Sequence, residues 1–169
     1  MHAPMRTALS LLLCAAFLIG AAAAAAAPEI NAPAPALKGR LFSGESFDLS
    51  HMRGKVVLVN YYSSYCKHCA YEIGNVETYL EDNADKGLVV IYIGVDRPED
   101  RDRVERMVGI YNLEGIMVQD LEANGFGEQY RTPTAFMIDR KGIVRSRHWG
   151  SKTPMFFADH LNPLLAEPQ

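Results

Sequence analysis

Two cysteines, Cys66 and Cys69, stand two residues apart in the stretch NYYSSYCKHCAYE, with Lys67 and His68 between them. Thiols at that spacing can clip a metal, staple a fold or exchange electrons. A closed zinc site needs four ligands, commonly a second CxxC or a close histidine pair. The sequence has neither, and His51, His148 and His160 are widely scattered along it. A staple closing so short a loop removes little entropy from the unfolded chain. Redox exchange is left as the leading reading, with Cu(I) binding as an alternative because thiolate ligands suit that ion.

An exchange pair needs a scaffold that ionises one thiol and shields the other. VVLVNYYSS, residues 56–64, is a continuous β-branched and aromatic run, the pattern of a strand buried on both faces. After Cys66 the pattern becomes helical: Cys69, Ile73, Val76 and Leu80 recur at three- and four-residue intervals, with Glu72, Glu77 and Glu81 off that stripe. A cysteine at a helix N-terminus meets unpaired N–H groups and the positive end of the helix dipole, and both favour thiolate over thiol. Cys66 is therefore expected to attack, and Cys69, which starts the apolar stripe, to be the buried resolving thiol. Lys67 and His68 are expected to tune the pair, their positive charge or donors favouring the thiolate form and a more oxidising couple.

The remaining pattern predicts the elements that hold this junction in place. A turn at Ser43-Gly44-Glu45 suggests an N-terminal hairpin, and LVVIYIGVD, residues 88–96, is a second buried strand. A charged helix opened by Pro98 spans residues 98–112, GIMVQD covers 115–120, and a short helix is expected around Leu121 to Tyr130. TPTAFMID and IVRSRHWG form strands joined at Arg140-Lys141-Gly142, and Pro154 to Leu165 is the terminal helix. Strand, helix, strand, helix, hairpin and helix make a three-layer α/β arrangement with a mixed sheet.

Composition bounds the function. The chain has 169 residues, 49% apolar and 22% charged, with a net charge of −3. Arg6 is the only Lys or Arg before Lys38, and no basic stripe exists to neutralise phosphates, so nucleic acid is not an expected partner. Residues 1–27 have the layout of a signal peptide, with Arg6, an apolar run and an alanine tract, and cleavage is expected within Ala23 to Ala27. The same run, residues 8–27, is also long enough to serve as a retained membrane anchor. Either way the globular part lies outside the cytoplasm, and Cys14 falls in the targeting segment, leaving Cys66 and Cys69 as the domain's only thiols. Residues 28–36 read as a Pro/Ala-rich linker and 37–169 as one domain, expected to be monomeric.

GKVVLVNYYSSYCKHCAYEI resembles the GKVVLVNFWASWCPPCRAEMP-like block of TlpA/ResA-type periplasmic thiol-disulfide oxidoreductases, members of the thioredoxin superfamily. TPTAFMIDRKGIV is similar to that family's Pro-Thr-x-x-x-Ile-Asp-x-x-Gly block, and the resemblance covers roughly residues 36–165. It implies a thioredoxin-like fold: a central mixed β-sheet flanked by helices on both faces, with an N-terminal hairpin and an insertion between the two halves. It implies Cys66 as nucleophile and Cys69 as resolving cysteine of a redox-active disulfide, and Pro133 as a cis-proline whose loop pairs with substrate. Thr132 would lie near the sulfurs. Tyr61, Tyr62 and Tyr65 form an aromatic wall for which packing is the default role, with Tyr65, beside Cys66, the candidate to face substrate. Glu72 matches a glutamate that influences cysteine titration, which makes it a candidate proton acceptor for Cys69; the alternative is an ordinary solvated helix glutamate. No cofactor is implied.

The implied partners are protein thiols and disulfides, apocytochrome c among them, and a membrane thiol-disulfide electron donor. Tyr65, Lys67 and Gly74 depart from the family's usual tryptophan and prolines, and His68 is similar to disulfide-donating members. The role as reductant is therefore set beside that of a disulfide-donating oxidase. A peroxiredoxin-like peroxidase is a further alternative: Ser63 fits that pattern, but Val59 stands where its proline is expected.

Overall fold

The computed structural model describes residues 27–129 and 131–168. The targeting segment, apart from Ala27, and Cys14 lie outside the described residues. The elements in chain order are β1 (Leu37–Arg40), β2 (Ser46–Asp48), β3 (Val56–Tyr62), α1 (Lys67–Glu81), β4 (Leu88–Gly94), α2 (Arg101–Gly109), β5 (Glu114–Met117), β6 (Leu121–Asn124), β7 (Thr134–Ile138), β8 (Val144–Trp149) and α3 (Pro154–Leu165). Among the described residues no helix is long and apolar enough to cross a membrane.

β3 is the central strand, and all seven of its residues are buried. It pairs in parallel with β4, setting Asn60 beside Tyr92, and antiparallel with β7, setting Tyr61 beside Thr134. The five-stranded sheet has the order β5-β4-β3-β7-β8, with β4 and β5 parallel and β7 and β8 antiparallel. This is the expected mixed sheet. Its α-helical cover, however, lies on one face and not on both. The steps from β3 through α1 to β4 and from β4 through α2 to β5 run the same way across the sheet. Right-handed crossovers therefore place both helices on the same side.

Ile73 and Val76 of α1, Val104 and Val108 of α2, and Phe157 and Leu161 of α3 accordingly share one core cluster. The opposite face is closed by a second sheet of order β2-β1-β6, whose Leu37 and Phe47 pack with Phe126 against Val57, Val59, Tyr61 and Phe136.

The hairpin forms as expected, with Gly39 opposite Phe47 and Gly44 in the left-handed region at φ 88°. The helix expected around Leu121 to Tyr130 is absent from the described part of that segment. Leu121–Asn124 is instead strand β6, paired antiparallel with β1. Gly125 and Gly127 follow directly, and a segment so rich in glycine gains more from the β1 ladder than from a helix. Gly39 makes the approach possible, since a Cβ there would lie 2.9 Å from the Asp120 carbonyl oxygen.

Residues 28–36, read as a linker, also lie against the fold. Asn31 N donates to Val144 O at 2.7 Å, Ala34 N donates to Gly142 O at 2.8 Å, and Pro33 bridges Ile143. β8 is an edge strand, and its outward backbone groups need partners that this extended segment supplies.

Arg140, 7% exposed, ties the lower end of the sheet to its surroundings. Its guanidinium donates to the carbonyl oxygens of Gly54 (2.7 Å), Lys86 (2.9 Å), Leu165 (3.0 Å) and Glu167 (3.1 Å). Replacing it with methionine leaves those carbonyls without their donor. Arg140→Met is expected to lower the unfolding free energy by about 2–4 kcal/mol, read from the denaturant midpoint.

His148 and His160, far apart in sequence, are neighbours in the fold: their rings are 4.6 Å apart, and Phe156 stacks on His160. Burial, then the nearby charges of His160 and Lys152, hold His148 below the ordinary histidine value. Its folded value lies below its unfolded value, so its contribution to stability is complete above about pH 6.5 and is lost as pH falls through the depressed folded value. Melting temperatures should drop from pH 7.5 to pH 5, and the drop should shrink in His148→Leu.

Candidate active site

The end of β3 hands the chain to α1 through Ser63, Ser64 and Tyr65, and this short loop is held by a carboxylate. Asp96, 7% exposed just past β4, accepts from Ser64 N at 3.0 Å, Ser64 Oγ at 2.6 Å and Ser63 Oγ at 3.2 Å. Those contacts set where Cys66 emerges. Cys66 is the N-cap of α1, with extended backbone (φ −90°, ψ 109°), and its Sγ accepts from Cys69 N at 3.1 Å. The first turn of α1 contains no acidic residue to oppose a thiolate.

Cys69 follows one turn later with its Cα 5.2 Å from that of Cys66, and the two sulfurs are joined as a disulfide. Cys66 is partly exposed, and Cys69 is 3% exposed. The two sulfurs therefore differ in their access to solvent.

The other wall is the loop before β7. The Thr132–Pro133 peptide bond is cis, and the Thr132 carbonyl oxygen lies 3.6 Å from Cys66 Sγ. Because β7 runs antiparallel to β3, the start of β7 sits beside the end of β3 and brings this loop to the sulfurs. Trp149 of β8 pairs with Thr134 and is 63% exposed, with the Arg131 guanidinium 5.0 Å from its ring centroid.

Tyr65, 60% exposed, donates its hydroxyl to Asp100 Oδ1 at 2.7 Å and lies under the Arg103 guanidinium at 4.3 Å. The Asp100 hydrogen bond raises its hydroxyl above the ordinary tyrosine value. Lys67 and His68 are exposed on the first turn of α1, with the His68 carbonyl accepting from Ser151 Oγ at 3.4 Å.

Glu72 differs from the solvated side chain that its place off the apolar stripe suggested. It is 1% exposed, and its carboxylate accepts from Asn60 Nδ2 (2.7 Å), Lys152 N (2.8 Å) and Lys152 Nζ (3.0 Å). Burial of a carboxylate is tolerable only with such partners. Glu72 is the third residue after Cys69 on α1, so both occupy the same face of the helix. Asn60, buried in β3, has its side-chain N–H satisfied by Glu72.

Asp96, Trp149 and Lys152 were not picked out from the sequence. Asp96 carried a signal, a carboxylate ending an apolar strand. Lys152 carried none, because its partner is 80 residues away. Among the described residues no group of three or more histidine, cysteine, aspartate or glutamate side chains is arranged to hold a metal ion.

After reduction, Cys66 should react with iodoacetamide at pH 7 at least about tenfold faster than Cys69, as mass spectrometry of the alkylated peptides would measure. Equal rates would contradict the division of roles.

Comparison with known proteins places this geometry. The chain is similar to the thioredoxin-like protein YneN of Bacillus subtilis, 28% identical over 123 residues and covering 71% of each chain. It is 28% identical over 152 residues to the thiol:disulfide interchange protein DsbE of Yersinia pestis, covering 83% of this chain and 74% of the relative. It is 27% identical over 127 residues to the thiol-disulfide oxidoreductase ResA of Halalkalibacterium halodurans, covering 73% of this chain and 70% of the relative. A crystal structure of a thioredoxin-family thiol:disulfide interchange protein from Chlorobium tepidum superposes with a TM-score of 0.66 at 23% identity, over 83% of this chain and 100% of that one, and the fold is thioredoxin-like. The AhpC/TSA family model matches residues 26–147, well over half of the 169-residue sequence, and the chain belongs to the AhpC/TSA family.

Proposed function

We propose that this protein is an exported thiol-disulfide oxidoreductase that reduces protein disulfides. The observation that carries the reading is the Cys66–Cys69 pair itself: a partly exposed sulfur capping α1, a buried sulfur one turn on, and the Thr132–Pro133 loop against them. In the reduced protein the Cys66 thiolate attacks a substrate disulfide, forming a mixed disulfide and releasing one substrate thiolate. Cys69 gives up its proton and attacks Cys66 Sγ. The second substrate thiolate leaves, and the Cys66–Cys69 disulfide closes with two electrons transferred to the substrate. Glu72, on the same face of α1 as Cys69, is the acceptor for that proton. The two sulfurs perform the chemistry without a cofactor.

Tyr65, next to Cys66, and Trp149, paired with Thr134, are exposed and suit a polypeptide substrate, because aromatic rings give large contact area at low entropic cost. The apolar N-terminal run supports action outside the cytoplasm, whether as a cleaved signal or as an anchor over residues 8–27. The TlpA/ResA resemblance points to apocytochrome c cysteines as substrate and to a membrane thiol-disulfide protein as the donor that keeps the pair reduced. The domain acts as a monomer.

The exposed Lys67 and His68 favour a second reading, a disulfide-donating oxidase, because positive charge beside Cys66 stabilises the reduced form. The reduction potential separates the two, measured by equilibration with glutathione. A value near about −270 mV is expected for the reductant, and one near about −120 mV would overturn it in favour of the oxidase.

A further inference from the structure

A buried lysine is costly unless its charge is used, and Lys152, 3% exposed, belongs to none of the steps above. It lies between β8 and α3, and its contacts run in two directions. Toward α1, its Nζ sits 3.0 and 3.3 Å from the two Glu72 oxygens, and its backbone N donates to Glu72 Oε2 at 2.8 Å. Its own carbonyl accepts from Asn75 Nδ2 at 3.1 Å, fixing the segment to the same helix. Toward the substrate loop, its Nζ donates to Gly150 O at 2.7 Å, and Gly150 N donates to Pro133 O at 2.9 Å. Hydrogen bonds on the two sides of the Gly150 backbone thus link the cis-proline loop through Lys152 to the carboxylate on the Cys69 face of α1.

The other polar groups near that carboxylate are Asn60, which donates to it, and Tyr92, whose buried hydroxyl is held above the ordinary tyrosine value by burial and by the Glu72 charge. Lys152 is the one cation in contact with Glu72 among the described residues. Burial pushes its amine below the ordinary lysine value, with Glu72 opposing that shift.

We propose that Lys152 is a positioning residue for the exchange reaction: it holds Glu72 as the proton acceptor for Cys69 and ties that carboxylate to the Pro133 loop where substrate docks. The inference rests on the redox reading above and deepens it. When a mixed disulfide has formed, the Cys69 S–H proton passes to the Glu72 carboxylate. The Cys69 sulfur then attacks Cys66 Sγ, and the bond from Cys66 to the substrate sulfur breaks with the electron pair leaving on the substrate thiolate. Without Lys152 the buried carboxylate is uncompensated, burial favours its neutral form, and it no longer accepts that proton.

The test is stopped-flow oxidation of the reduced full-length protein by the aromatic disulfide 5,5′-dithiobis(2-nitrobenzoate). Two coloured thiolates leave in turn, the first on attack by Cys66 and the second on resolution by Cys69; Cys69→Ser identifies the first. Lys152→Met is expected to keep the first phase within about twofold and slow the second about tenfold or more at pH 7, as Glu72→Gln does. The double variant, in which no buried charge is left unpaired, should resolve at the Glu72→Gln rate. That comparison separates action through Glu72 from direct action on the sulfurs. Where Lys152→Met does not fold, Lys152→Arg, which keeps the cation, should resolve within about threefold of the unsubstituted protein, and a second phase about tenfold slower would overturn the charge-based role.

An unchanged second phase in Lys152→Met, or a double variant about tenfold slower than Glu72→Gln, would overturn the proposal. Failure of the unsubstituted protein to give two phases would instead overturn the redox reading.

Discussion

The antiparallel ladder between β3 and β7 is the constraint on which the rest of the site depends. β3 leads into the Cys66 loop at its C-terminal end, and β7 is entered from the Thr132–Pro133 loop at its N-terminal end. Only an antiparallel pairing brings those two ends together, and the register that sets Tyr61 beside Thr134 does so at the top of the sheet. Since β3 is buried on both faces, a shift of one residue would turn Val57, Val59 and Tyr61 from the small-sheet face into the helical one. The packing of both cores thus enforces the meeting of sulfur and proline loop.

Several of the protein's buried polar groups lie at this same site. Asp96 and Glu72 are both nearly inaccessible, and each is satisfied differently: Asp96 by hydroxyl and backbone donors of the Cys66 loop, Glu72 by a lysine and an asparagine. The first carboxylate shapes the backbone that presents the exposed sulfur. The second is carried on the same face of α1 as the buried one. A desolvated ion pair is a poor source of stability compared with apolar packing of equal volume. The Glu72–Lys152 pair is nonetheless buried here, with Asn60 completing the hydrogen bonds of the carboxylate. Arg140 does the structural work at the opposite end of the sheet, gathering four carbonyls from three segments.

Much of this was legible in the residues. The β-branched runs of β3 and β4, the stripe on α1 and the turn before β2 carry their own periodicity, so the strand-to-helix junction and the asymmetry of Cys66 and Cys69 could be derived directly. The segment after Asp120 was not legible as a strand. Its hydrogen bonds are made with β1, about 80 residues earlier in the chain, and four residues of local pattern cannot report a ladder at that distance. The docking of residues 28–36 on β8 escaped for the same reason, as did the gathering of all three α-helices on one face, where crossover direction places α1 and α2 and packing against the same core places α3.

The sequence by itself determined the chemistry available: two thiols at a helix start, a proline-bearing strand entry and an apolar leader pattern, each encoded within a few neighbouring residues. Tertiary structure alone decided what surrounds those thiols. Glu72 reads as either a proton acceptor for Cys69 or a solvated helix glutamate until Lys152 is brought from 80 residues away to pair with it in the interior, and Asp96 becomes an organiser of the Cys66 loop only because β4 lies beside β3. Burial of charge depends on partners, and partners distant in the chain meet only when the sheet register and the helix packing bring them into contact.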